Sequence, residues 1–114
     1  MKKCVGYIRT AEESDFEIEN QIKSIKYYAN SNNLDVTNIF IDNGCTGANS
    51  NRTGFKQMQS YISNNNVDVL LVKSIDRISR DINKFSKFYK RLKELGIQIY
   101  TIDNENIDSI DIYL

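Results

Sequence analysis

The sequence contains no proline, no histidine and no tryptophan, holds two cysteines and five glycines in 114 residues, and has no net charge. With no histidine, and with Cys4 and Cys45 far apart, a zinc site lacks ligands. The two thiols instead fit the reducing cytoplasm. No run of eighteen apolar residues occurs, so no transmembrane helix is expected. Met1-Lys2-Lys3 leads into Cys4-Val5-Gly6-Tyr7 and then Arg9, not into the apolar stretch of a signal peptide. A cytoplasmic protein without membrane contact is expected. The lack of proline, beside abundant Asn, Ile, Lys and Tyr, is the bias of an AT-rich genome, so the Asn-rich stretches carry no functional weight. Zero net charge argues against a protein that grips DNA by bulk electrostatics alone.

What is present suits a single domain with one core: 40% of residues are hydrophobic, with seven Tyr and five Phe. The charge is unevenly spread. Lys and Arg against Asp and Glu number 5 and 7 in residues 1–51, 10 and 4 in 52–96, and 0 and 4 in 97–114. Much of the basic excess falls on Lys84, Lys87, Lys90, Arg91 and Lys93, the solvated face of one expected helix.

Strand and helix patterns alternate along the chain. Residues 3–9 form a first strand. Ser14 and Glu17 have the spacing of a capping box and open a helix over 15–31, with Ile18, Ile22, Ile25 and Tyr28 or Ala29 at helical spacing. Residues 36–41 are a second strand, followed by turn-forming residues 42–51. A second helix spans 53–64 with Phe55, Met58, Tyr61 and Ile62 inward. The apolar run 67–72 is a central parallel strand. A loop over 73–80 leads to a third helix, 82–95, that turns Ile82, Phe85, Phe88 or Tyr89, Leu92 and Leu95 inward. Gly96 ends it before a fourth strand at 97–102. This order predicts a three-layer α/β fold: a mostly parallel sheet of four or five strands with helices on both faces. Residues 1–103 make the domain, and 104–114 are a short acidic end.

In such sheets ligands bind beyond the carboxyl ends of the strands. The functional groups are therefore expected at 9–11, 42–52, 73–80 and 103, and three of these four segments contain arginine. Guanidinium groups offer a rigid fork that matches phosphate and stay charged when desolvated. Arg9, Arg52, Arg77 and Arg80 either form a phosphodiester cage or pair singly with nearby carboxylates such as Asp76 and Asp81.

Gly6-Tyr7-Ile8-Arg9-Thr10, Gln21, Asp42 with Gly44-Cys45-Thr46-Gly47, Asn51-Arg52-Thr53-Gly54-Phe55, and Asp68 followed by Asp76-Arg77-Ile78-Ser79-Arg80-Asp81 resemble, in order, the motifs of the serine recombinase (resolvase/invertase) catalytic domain. The matches run from residue 4 to about 103. The resemblance implies a resolvase-like fold and phosphoryl transfer without metal or other cofactor. A serine hydroxyl attacks the scissile DNA phosphate, forms a phosphoserine link and releases a 3′ hydroxyl. By resemblance Arg9, Arg77 and Arg80 meet the phosphate with Arg52 close by, Asp76 orients arginines, and Gln21 and Asp42 support them. The genetic setting it implies is a mobile element or phage, in transposition, inversion or integration.

Three departures stand out. Ala11 occupies the nucleophile position, since residues two apart share a face of an extended segment and Arg9 and position 11 then point together. Thr10 points away, and Ser14 is better placed as a helix cap. The chain as written is expected not to cleave DNA, whether the alanine is an introduced change or a natural loss. The lysine usual in the family's second helix has no counterpart, Gln59 or Tyr61 standing near that point. The family's long oligomerisation helix and DNA-binding region have no room in 104–114. The expectation is therefore a fragment or natural truncation, a monomer or weak dimer that binds DNA weakly, whereas the intact parent protein forms dimers and tetramers. Two other readings remain: a non-catalytic regulatory or partner-binding paralogue that keeps the cage, and an unrelated receiver-like or nucleotide-binding domain. The last lacks both an acidic cluster and a Gly-rich turn after the first strand.

Overall fold

A computed structural model describes residues 1–45 and 52–103. The Thr46-Gly47 and Asn51 parts of the loop motif, and the acidic end 104–114, lie outside the described residues. The element order is β1 (Lys2–Arg9), α1 (Asp15–Ser31), β2 (Leu34–Asp42), α2 (Thr53–Asn64), β3 (Val69–Val72), a single 3-10 turn (Ile75–Arg77), α3 (Ile82–Glu94) and β4 (Gln98–Thr101). The described strands form one four-stranded sheet in the order β2-β1-β3-β4, and every pairing is parallel.

Alternation along β1 explains how one strand serves two cores. Cys4 and Ile8 face α1 and pack with Ile18, Ile25 and Ala29, together with Val69 and Leu71 of β3. Val5 and Tyr7 face the other way, toward Met58 and Ile62 of α2 and Phe85, Phe88 and Leu92 of α3. All four residues of β3 are buried, as a central strand covered on both faces requires. Each such aliphatic side chain contributes about 1.5–3 kcal/mol. The layers are thus α1, sheet, and α2 with α3.

Two sequence expectations need correction. Ile82 does not turn inward: it is the first residue of α3 and is 41% exposed, while Ser86 takes a buried place on that helix. Only half of the capping box forms. The Ser14 hydroxyl accepts from the Glu17 amide at 3.1 Å, but the Ser14 amide donates to Asn43 Oδ1 at 2.9 Å, leaving the Glu17 carboxylate for other partners.

Candidate functional site

Because every strand runs the same way, Arg9, Asp42, the segment after Val72 and Asp103 gather at one edge of the sheet. The register places Arg9 directly beside Asp42. Strand order reverses between β1 and β3, so the crevice between their carboxyl ends is where such a sheet presents ligand-binding groups.

Asp42 fixes the start of α2. Its Oδ1 accepts the Gly54 amide at 2.8 Å, and its Oδ2 accepts the Phe55 amide at 2.9 Å and the Tyr7 hydroxyl at 2.6 Å. It thereby satisfies two of the amides a helix leaves open at its N-terminus. The approach is close enough that a Cβ on Gly54 would stand 2.5 Å from the Ile41 carbonyl oxygen, so only glycine fits there. Burial, then the hydrogen bond to Asp42, pushes the Tyr7 hydroxyl well above the ordinary phenol range.

The arginines converge, and they converge on main chain. Arg9, 2% exposed, donates from Nε to the Arg77 carbonyl at 3.0 Å, from one terminal nitrogen to the Cys45 carbonyl at 3.0 Å, and from the other to the Asp76 carbonyl at 2.6 Å. Arg52 donates to the Ile78 carbonyl at 2.6 Å, the Arg77 carbonyl at 2.9 Å and the Tyr7 hydroxyl at 2.9 Å, and its guanidinium carbon lies 4.4 Å from the centre of the Phe55 ring. The physical reason is the 3-10 turn. One turn of helix leaves its last carbonyls without intrahelical donors, and the two guanidinium groups supply them. Burial lowers the pKa of Arg9 from its ordinary value, and the neighbouring Arg52 and Arg77 charges lower it further.

Arg77 itself points elsewhere. One terminal nitrogen lies 3.8 Å from the Glu17 carboxylate, and its buried Nε has no hydrogen-bond partner among the described residues. Gln21 donates to the same Glu17 oxygen at 3.1 Å, while its buried Oε1 is likewise without a partner among them. Glu17, read from the sequence as part of a cap, therefore joins α1 to the arginine cluster. Asp76 accepts the Ser74 hydroxyl, which holds its carboxyl below the usual range, with Arg77, Arg80 and Arg9 adding to the effect. Asp81 caps α3 through the Asn83 and Lys84 amides instead of pairing with an arginine. Arg80 is exposed, three residues beyond Arg77. Neither sequence alternative for the arginines was complete: three of them gather, but backbone carbonyls, and not Asp76 or Asp81, hold Arg9 and Arg52.

Ala11 lies on an exposed bend immediately after β1. The residues around it are tied down. The Thr10 hydroxyl donates to Asn43 Oδ1 at 2.9 Å and accepts the Gly44 amide at 3.0 Å, while the Thr10 carbonyl accepts the Cys45 amide at 2.8 Å. Asn43 also holds the Ser14 amide and donates to Asp15 Oδ1 at 3.2 Å. Gly44 (φ +80°) lies against residue 13, where a Cβ would stand 3.3 Å from the Glu13 nitrogen. Thr10 and Ser14 are thus both committed to structure. Tyr7, Glu17, Asn43 and Ser74 are the site residues that sequence reasoning missed. Only the Tyr7 position within its motif offered a signal.

Comparison with known proteins places this geometry. The family profile described as "Resolvase, N terminal domain" matches residues 4–112. A resolvase/recombinase of Pseudomonas putida is 30% identical over 102 residues, which are 90% of this chain and 52% of that protein, so the chain spans about half the length of this relative. Among solved structures, the N-terminal catalytic domain of TP901-1 integrase superposes with a TM-score of 0.82 at 24% identity, over 98% of this chain and 89% of that one. A resolvase family site-specific recombinase from Streptococcus pneumoniae gives 0.80 at 19% identity, covering 98% and 83%. A serine recombinase from Sulfolobus solfataricus gives 0.68 at 23%, covering 99% and 76%. At these identities the structures establish the shared fold.

Proposed function

The chain belongs to the resolvase N-terminal-domain family, and from that membership we propose that it is the catalytic domain of a serine-type site-specific DNA recombinase in which alanine stands at the nucleophile position. One observation carries the reading: Arg9 and Arg52 both donate to the main chain of the 3-10 turn that bears Arg77, beside the clamped bend that bears Ala11.

In this reading a hydroxyl at position 11 attacks the scissile phosphorus. The bond from Oγ to phosphorus forms as the bond from phosphorus to O3′ breaks, and the hydroxyl proton passes to the departing 3′ oxygen. Charge on the phosphoryl oxygens is met by arginine donors already in place. Arg77, whose Nε has no hydrogen-bond partner among the described residues, and exposed Arg80 are assigned to the phosphate. Arg9 is assigned there too, although three of its five N–H groups hold carbonyls. Arg52 and Asp42 hold the edge together, the Asp76 carboxylate offsets the charges of Arg77, Arg80 and Arg9, and Gln21 steadies Arg77 through Glu17. A methyl group has no lone pair to attack with, so the chain as written leaves DNA intact. The domain comprises 1–103 and its partner is DNA.

A crystal structure grown from sulfate, with adduct formation by Ala11→Ser, tests this. Sulfate within hydrogen-bond reach of Arg77 and Arg80 against the Ala11 methyl, and a serine-linked DNA adduct from the Ala11→Ser protein alone, are the expected results. The absence of an anion at Arg77 and Arg80 would overturn the active-site assignment. An intact anion site with no adduct would favour the second reading, a non-catalytic paralogue, which the alanine itself supports.

A further inference from the structure

The solvent face of α3 carries a row of like charges that the helix itself does not explain. Lys84, Lys87, Lys90, Arg91 and Lys93 are all exposed, and Glu94 is the one acid on this helix. At 100° per residue Lys84, Lys87 and Arg91 fall within a 60° stripe that flanks the face of buried Phe85, Phe88 and Leu92, and Lys90 extends it to the side opposite them. Neighbours three and four apart repel, each pair costing about 0.2–0.5 kcal/mol. The helix macrodipole rewards cations only in the last turn, where Arg91 and Lys93 stand. Glu94 lies 3.8 Å from Arg91. Lys84 and Lys87 are therefore placed against the helix's own electrostatics. By contrast α1, a comparably solvated helix, mixes Asp15, Glu17 and Glu19 with Lys23 and Lys26.

We propose that this stripe is a track for the sugar-phosphate backbone of duplex DNA, continuing outward from the arginine edge. The proposal rests on the reading of the chain as a DNA recombinase domain and names the surface by which duplex lies across it. The spacing supports it: Arg77, Arg80, Lys84, Lys87 and Arg91 follow one another at intervals of three or four residues. Within α3, Lys84 to Arg91 advances roughly 10 Å at 1.5 Å per residue, about three base-pair steps of 3.4 Å along the duplex axis. A polyanion supplies the counter-charge that the helix withholds, and a chain of zero net charge concentrates its cations where the polymer lies. Such phosphate recognition is sequence-independent and positions the duplex.

The test is an NMR titration of the isotope-labelled 114-residue chain with a 20-base-pair duplex at low salt, alongside the variant Lys84→Gln/Lys87→Gln/Lys90→Gln. The expected result is amide shifts along residues 82–91 as well as 76–80. In the variant the 82–91 shifts vanish, the 76–80 shifts remain, and the slope of log affinity against log salt falls by about 2.7, at about 0.9 for each phosphate no longer neutralised. Shifts at 76–80 with a silent α3, or an unchanged salt slope in the triple variant, overturn the track and leave the recombinase reading standing. No response anywhere to duplex at low salt overturns both. The substitutions lie on exposed positions, and an unchanged spectrum in the absence of DNA verifies the fold.

Discussion

Asp42 shows how much structure one carboxylate can carry. It joins the end of β2, the start of α2 and the Tyr7 hydroxyl through three hydrogen bonds. Removing it leaves three donors unanswered, two of them in buried bonds and one in a part-buried bond, each worth about 1–3 kcal/mol. Asp42→Ala should lower unfolding stability by about 3 kcal/mol or more in urea titration, and a loss below 1 kcal/mol would show that solvent replaces the carboxylate. Cys4 is a second single-residue case. It is wholly buried between α1 and the sheet, and burial raises its thiol pKa from 9.0 to about 12. The folded state therefore keeps the proton that the unfolded state releases. The stability linked to this group is intact below pH 9 and is lost as pH rises from there toward 12. Cys4→Ala should flatten that alkaline decline in denaturation curves. A thiol reagent at pH 8 should label half-buried Cys45 and spare Cys4 until the chain unfolds.

Among the elements, α3 depends on its first turn. Asp81 accepts from the Asn83 and Lys84 amides, and Asp81→Ala should cost about 1 kcal/mol, read as a lower melting temperature. The elements were largely legible because hydrophobic spacing is written in side chains. The apolar run ending at Val72 announced β3, and Ile18, Ile25 and Ala29 announced α1, its ends correct to the residue. The start of β2 at Leu34 was missed because the strand is half-solvated and reads polar through Asp35 and Asn38. The 3-10 turn at Ile75–Arg77 left no trace either, since a single turn has no period to detect. With it went the partners of Arg9 and Arg52. A carbonyl belongs to every residue, so no sequence pattern reveals which one a guanidinium will find. The arginines themselves, and their place at the strand ends, were legible from the parallel topology. The role of Asn43, bonded to Thr10, Ser14 and Asp15, was not, because it depends on two distant loops meeting.

At the scale of the molecule, β1 and β3 are the buried centre of a parallel plate, the candidate site lies at the carboxyl ends of its strands, and a row of basic residues lies on α3. Position 11 sits outside that plate on an exposed bend. Ala11→Ser should therefore change the unfolding free energy by less than about 0.5 kcal/mol, as exposed substitutions do. A shift of several kcal/mol in calorimetry would mean the bend is part of the core after all.

The anchoring of Arg9 and Arg52 to main-chain oxygens has a further consequence for inheritance. An ion pair can be broken by mutating either partner, but a peptide carbonyl survives every substitution that preserves the local backbone. The positions of Arg9 and Arg52 therefore tolerate side-chain replacement at Asp76, Arg77 and Ile78 for as long as the turn at 75–77 holds its shape.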